Sequence, residues 1–134
     1  MKKLLSILSI CLVFVSCSKE IVRAHEDETT RQEGKTYYDA KPLTGVRWGK
    51  WQNNNKLKYE YEYKDGIRDG FSKFWYANGN MRHSTFEKNG EYDGLNQWWH
   101  ENGQLRQESV YKDGKRVSSK YWSASGLPCN GPCN

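Results

Sequence analysis

Hydrophobic and polar positions divide the chain into three stretches. Residues 4–15 are an unbroken run of apolar and small residues, preceded by Lys2 and Lys3. A positive start followed by such a run predicts a cleaved export signal, because the run is too short to cross a bilayer as a helix. Residues 18–35 are dominated by Glu, Asp, Thr, Arg, Lys and Gln. With almost nothing to bury, they predict a flexible tether. From Tyr37 onward, short runs rich in Trp, Tyr, Phe, Val and Thr alternate with turn residues (Gly, Asn, Asp). That pattern predicts β-strands joined as hairpins, and no segment has a helical period.

The strand region repeats itself. Trp51, Trp75 and Trp99 are spaced 24 apart, as are Leu57, Met81 and Leu105, and Gly66, Gly90 and Gly114. A fixed period of this size marks a repeat architecture, and half-units at residues 38–45 and 119–126 fit its terminal caps. Asn78-Gly79 and Asn102-Gly103 predict hairpin tips of type I′. Asp65-Gly66, Asn89-Gly90 and Asp113-Gly114 begin the return connections.

A two-residue tip sets the register. Trp75 then faces Arg82, Trp99 faces Arg106 and Trp51 faces Lys58, a Trp–cation pair in each unit worth ~0.5–1 kcal/mol when exposed. Phe71 faces Phe86 and Leu95 faces Val110. One side of the sheet therefore carries Trp51, Phe71, Trp75, Phe86, Leu95, Trp99 and Val110, and this is the expected packing side. The other carries Trp48, Tyr59, Tyr61, Phe74, Tyr76 and Trp98, the candidate binding surface. Aromatics on both faces mean either that the sheet curls to cover both or that one face is a binding surface.

Composition sharpens this picture. Aromatic content is 14% while mean hydropathy is −1.00, so the core must rest on flat, amphipathic rings rather than aliphatic bulk. The formal charge of +5 falls to +3 once Lys2 and Lys3 leave with the signal. That is compatible with anionic lipids or polysaccharides and gives no argument for nucleic acid. His25, His83 and His100 have no nucleophile motif beside them, and the carboxylates sit at turns and repeat positions. A flat repeat sheet offers no enclosed pocket, so the expectation is a non-catalytic protein with no cofactor and no metal.

The cysteines carry compartment information. Phe14-Val15-Ser16-Cys17 closes the apolar run, whereas Cys11 follows the bulky Ile10 inside it. A small residue before a Cys at this place resembles the bacterial lipobox. The resemblance implies cleavage before Cys17 and lipidation of its sulfur; Phe14 departs from the usual Leu, and the alternative is an ordinary cleaved signal. Two or three acyl chains give stable anchoring. Ser18 in place of Asp implies the outer membrane where the host has two. Cys129 and Cys133 remain as an even pair flanking the turn-forming Asn130-Gly131-Pro132. A small disulfide loop is the favoured reading, ahead of two free thiols and then a metal site, which would lack further ligands nearby.

The unit W-x-x-N-G-x-[LM]-[KR] followed by Y-K-[DN]-G-x-x-D-G resembles the bacterial variant of the MORN repeat, over about residues 37–126. Arrays of this kind are often labelled antitoxin components of the YwqK type, and many are predicted lipoproteins. The resemblance implies an all-β, extended, twisted sheet of antiparallel hairpins, associated with membrane-proximal scaffolding, protein binding and lipid contact. The expected organisation is a signal peptide (1–16), a lipidated Cys and linker (17–36), the repeats (37–126) and a tail with the Cys pair (127–134). The expected function is a lipid-anchored protein-interaction scaffold of the cell envelope, meeting a protein partner or a second copy through its sheet edges. The alternatives are a polysaccharide-binding module using the Trp/Tyr face, and an antitoxin- or immunity-like binding protein. Cys17→Ser is expected to remove the lipid mass and release the protein from the membrane fraction; an unchanged intact mass and fractionation would rule the anchor out.

Overall fold

The computed structural model describes residues 21–133, so the expected signal and Cys17 lie outside the described residues. Its strands are β1 (Val22–His25), β2 (Thr29–Gln32), β3 (Lys35–Tyr38), β4 (Lys41–Pro42), β5 (Gly45–Lys50), β6 (Leu57–Lys64), β7 (Ile67–Trp75), β8 (Met81–Lys88), β9 (Glu91–Trp99), β10 (Leu105–Lys112), β11 (Lys115–Trp122) and β12 (Pro128–Cys129). A single 3-10 turn, Glu26–Glu28, follows β1. An open nine-stranded sheet runs β1-β5-β6-β7-β8-β9-β10-β11-β12, and β2-β3-β4 form a small second sheet. From β5 to β12 every neighbouring pair is antiparallel, the hairpin meander that the repeats predict.

From Val22 onward, the stretch expected to be a tether is instead part of the fold. β1 lies parallel on β5, with Ala24 fully buried, and β2 and β3 form a hairpin. Gly45 makes the docking of β1 possible, since a Cβ there would sit 2.2 Å from the Val22 carbonyl oxygen. The small sheet is stitched to the turn between β6 and β7 by backbone bonds from Thr36 N–H to Gly66 O (2.8 Å) and from Gly66 N–H to Leu43 O (2.8 Å). Leu43 packs on Tyr59, Tyr61 and Tyr63, with Val22 and Tyr38 against them. These short polar strands have no core of their own. They are held by the tyrosines of the first repeat, which a reading of local composition does not see.

The type I′ geometry expected at the Asn-Gly tips is found instead at the return connections. Asp65-Gly66, Asn89-Gly90 and Asp113-Gly114 have positive φ at both residues, the type I′ geometry. At the Asn-Gly tips only the Gly is positive, with φ of 100° at Gly79 and 88° at Gly103. Tyr76 O accepts from Gly79 N–H and Tyr76 N–H donates to Asn80 O, both at 2.9 Å. This is a three-residue loop, a type I turn closed by a glycine bulge. The Asn is retained for a different reason. Asn78 Oδ1 accepts from Asn80 N–H (2.8 Å) while its Nδ2 donates to Glu101 O in the next tip (3.0 Å). Asn54 and Asn102 do the same toward Ala77 O and Ala124 O. Each Asn thus braces its own loop and hooks the neighbouring one.

The first unit's loop is one residue longer, closed by Trp51 N–H to Lys56 O (2.8 Å). A one-residue slip turns side chains to the other face. Trp48 therefore pairs with Glu60 rather than Tyr61, and leaves the aromatic face expected for it. The tip bulges also alter the Trp–cation pairs. Lys58 lies 4.8 Å from the Trp51 ring as expected, but Trp75 faces Met81 and Trp99 faces Leu105, with Arg82 over Tyr76 at 5.8 Å. Away from the tips, Phe71 faces Phe86 and Leu95 faces Val110, as the arithmetic requires. Asn78→Ala is expected to cost about 1 kcal/mol for its two lost hydrogen bonds, lowering Tm by roughly 4 °C in a calorimetric scan.

Candidate functional site

Cross-strand register aligns the side chains into rows. One row on the covered face is Tyr61, Ser72, Thr85, Asn96, Ser109 and Ser119, a residue from each of β6 to β11. Beside it run Tyr59, Phe74, His83, Trp98, Gln107 and Tyr121. The first row is small and polar in its middle, the second largely aromatic. Ser72, Thr85, Asn96 and Ser109 are almost completely buried, the larger neighbouring row closing over them.

The rings of the second row stack on one another across the strands. His83 lies 3.9 Å from Trp98 at an interplanar angle of 21°, and 5.7 Å from Phe74 at 28°. Asn96 Oδ1 accepts from Trp98 Nε1 (2.9 Å) and lies 3.3 Å from His83 Nε2, while Asn96 Nδ2 donates to Thr85 Oγ1 (3.2 Å). An oxygen in that position needs its proton from the imidazole, which places the hydrogen on Nε2 of a neutral ring. Burial pushes the His83 pKa down to about 4. Glu87 is equally enclosed, accepting from Ser72 Oγ at 2.5 Å with Arg68 Nη1 at 3.5 Å. Burial likewise raises the Tyr59 and Tyr61 pKa values, keeping both hydroxyls protonated.

A cleft of about 240 Å³ opens over this network, lined by Arg68, Phe74, His83, Glu87, Tyr92 and Trp98 among others. Its polar groups are already engaged with one another. Ser72 donates to a carboxylate, and His83 is bonded to Asn96. The arrangement is a satisfied structural network, and among the described residues no buried side-chain nitrogen or oxygen lacks a partner. Among the described residues no cluster of His, Cys, Asp and Glu has the arrangement of a metal site.

The two faces have exchanged roles relative to the sequence reading. Tyr59 and Tyr61, expected on an exposed binding surface, are buried, and Phe74 and Trp98 are half-buried beside them. Tyr76 donates its hydroxyl to Trp99 O (2.8 Å), a link between hairpin tips. Trp48 packs edge-on against His25 on the opposite face. Of the expected packing residues, Phe71, Leu95 and Val110 are 45%, 51% and 37% exposed. Phe86 is half-buried against Phe71, and Trp51, Trp75 and Trp99 are half-buried at the tips. The cause is the small N-terminal sheet, which covers the tyrosine face. The sequence did hold a signal for the buried row, since Ser72 and Asn96, and Thr85 and Ser109, are 24 apart. At the far end Cys129 and Cys133 are joined as a disulfide.

No protein-family model, curated protein or solved structure matches the chain. The buried imidazole makes a specific demand. Its folded pKa lies below its unfolded value near 6.5, so the stability it confers is complete above that pH and falls away toward pH 4. Urea unfolding is expected to lose about 2 kcal/mol between pH 7 and pH 4.5 from this group. His83→Phe, which cannot charge, is expected to reduce that loss.

Proposed function

We propose that the chain is a non-catalytic repeat lipoprotein of the cell envelope, acting as a protein-interaction scaffold. The observation that carries this reading is an apolar row in which Phe71, Leu95 and Val110 are exposed and Phe86 is half-buried. These side chains cross β7 to β10 on the face away from the small sheet. Alongside them lies a row of polar and charged side chains, Glu60, Lys73, Ser84, Gln97, Glu108 and Lys120. An apolar centre beside a charged border is the anatomy of a protein interface.

Sugar binding has less support. Stacking on sugar rings needs several aromatic faces open to solvent, and here Tyr59 packs on Tyr61 while His83 covers Trp98. The expected lipid at Cys17 would place the sheet close to a membrane, with β1, the strand nearest the anchor in sequence, at one edge.

Crosslinking of the tagged full-length lipoprotein in intact cells is expected to recover one stoichiometric protein. Phe71→Ser combined with Leu95→Ser is expected to abolish that recovery while leaving Tm within a few degrees, because both side chains are exposed. Recovery of wall polysaccharide without a protein, or full retention of the partner by the double variant, would sink the reading.

A further inference from the structure

Between the small sheet and the main sheet lies a pocket of about 160 Å³ into which three arginines, Arg31, Arg47 and Arg68, converge. They come from β2, β5 and β7, separate elements that only the fold brings together. Thr29, Thr36 and Tyr63 complete most of the lining, and no carboxylate is part of it. We infer that this pocket binds a single oxyanion of the phosphate or sulfate class.

Two of the arginines are fixed in place. Arg47 donates from Nε to Thr29 Oγ1 (2.8 Å) and stands over the Tyr59 ring at 5.4 Å. Arg68 stands over the Tyr61 ring at 4.0 Å, with Glu87 at 3.5 Å from one nitrogen. A guanidinium has five donors, so each keeps several free after these contacts. Arg31 is exposed and is the Cα partner of the buried Thr36, so the two share a face of the small sheet. Glu87 is shared between Ser72 and Arg68, and Glu26 accepts from the Tyr59 hydroxyl. Among the described residues only Arg68 of the three has a carboxylate partner, so the small polar space keeps two unpaired cations, and an oxyanion accepting charge-assisted hydrogen bonds completes them. A planar fork on each arginine favours a group with several equivalent oxygens over chloride. This site is independent of the apolar row on the other face.

The test is a titration of the full chain in neutral detergent at constant ionic strength, followed by Tm and calorimetry. The probes are inorganic phosphate, sulfate, glycerol 3-phosphate and glycerophosphoglycerol, with chloride as the reference. Saturable binding of one equivalent of phosphate or sulfate is expected, weakened about tenfold by Arg31→Gln. Arg31→Lys should restore part of it, and Arg47→Gln should weaken it independently. Preference for glycerol 3-phosphate would identify a terminal phosphomonoester as the group bound. Preference for glycerophosphoglycerol would identify the in-chain phosphodiester of a lipid headgroup or an envelope polymer. If none of the four probes outperforms chloride, or if Arg31→Gln and Arg47→Gln bind as well as the parent, the site does not exist. Arg31 is exposed, so loss of binding in its variant at unchanged Tm in chloride cannot come from misfolding.

Discussion

The number of residues in each hairpin loop governs both faces of this sheet. Side chains alternate along a strand with a period of two, so a loop longer by one residue turns the whole following strand over. The Asn-Gly tips close three-residue loops, with the glycine adopting the positive φ that the bulge requires. The first tip, without that glycine, opens one residue earlier, at Trp51, and Trp48 alone among the expected surface aromatics changes sides. At the opposite margin, the type I′ turns at Asp-Gly and Asn-Gly return each strand in register. Rows of tyrosine, serine, threonine and asparagine across six strands are the outcome of those loop lengths.

Much of this was legible in the sequence. The 24-residue period, the meander and the pairing of Phe71 with Phe86 and of Leu95 with Val110 follow from alternation and turn residues. Two things were not legible, for one reason. Residues 22–32 carry too little apolar surface to fold alone, and they are ordered by contact with tyrosines about forty residues away along the chain. Once they dock, the tyrosine face is covered and Phe71, Leu95 and Val110 are left outside. A pattern of alternation specifies which side chains share a face but not which face another element will cover. The three arginines belong to the same blind spot, because Arg31 reaches Arg47 and Arg68 only through that docking.

The interior is unusual in what it buries. Few aliphatic side chains take part; the described core is Leu43, Ala24 and tyrosines, continued by serine, threonine, histidine, glutamate and asparagine. Such groups are tolerated in a core only when bonded, and here Asn96 joins His83, Trp98 and Thr85 while Glu87 joins Ser72 and Arg68. All of these links except Asn96–Trp98, which lies within β9, run between adjacent strands, so cohesion passes from neighbour to neighbour. The two ends of the array are finished differently. One is closed by a parallel strand laid on Gly45, the other by a two-residue strand beside the Cys129–Cys133 loop.

The asparagine hooks have a consequence for how such a chain can change in length. Each binds only its own loop and the one after it, so a duplicated unit of 24 residues would find the same partner on either side and slot into the array as a new rung. An insertion of one residue fewer or more within a strand would turn the downstream rows over and separate tyrosines from the polar residues that meet them. Growth and shrinkage by whole units is therefore the one change of size that this architecture accepts without redesign of either end.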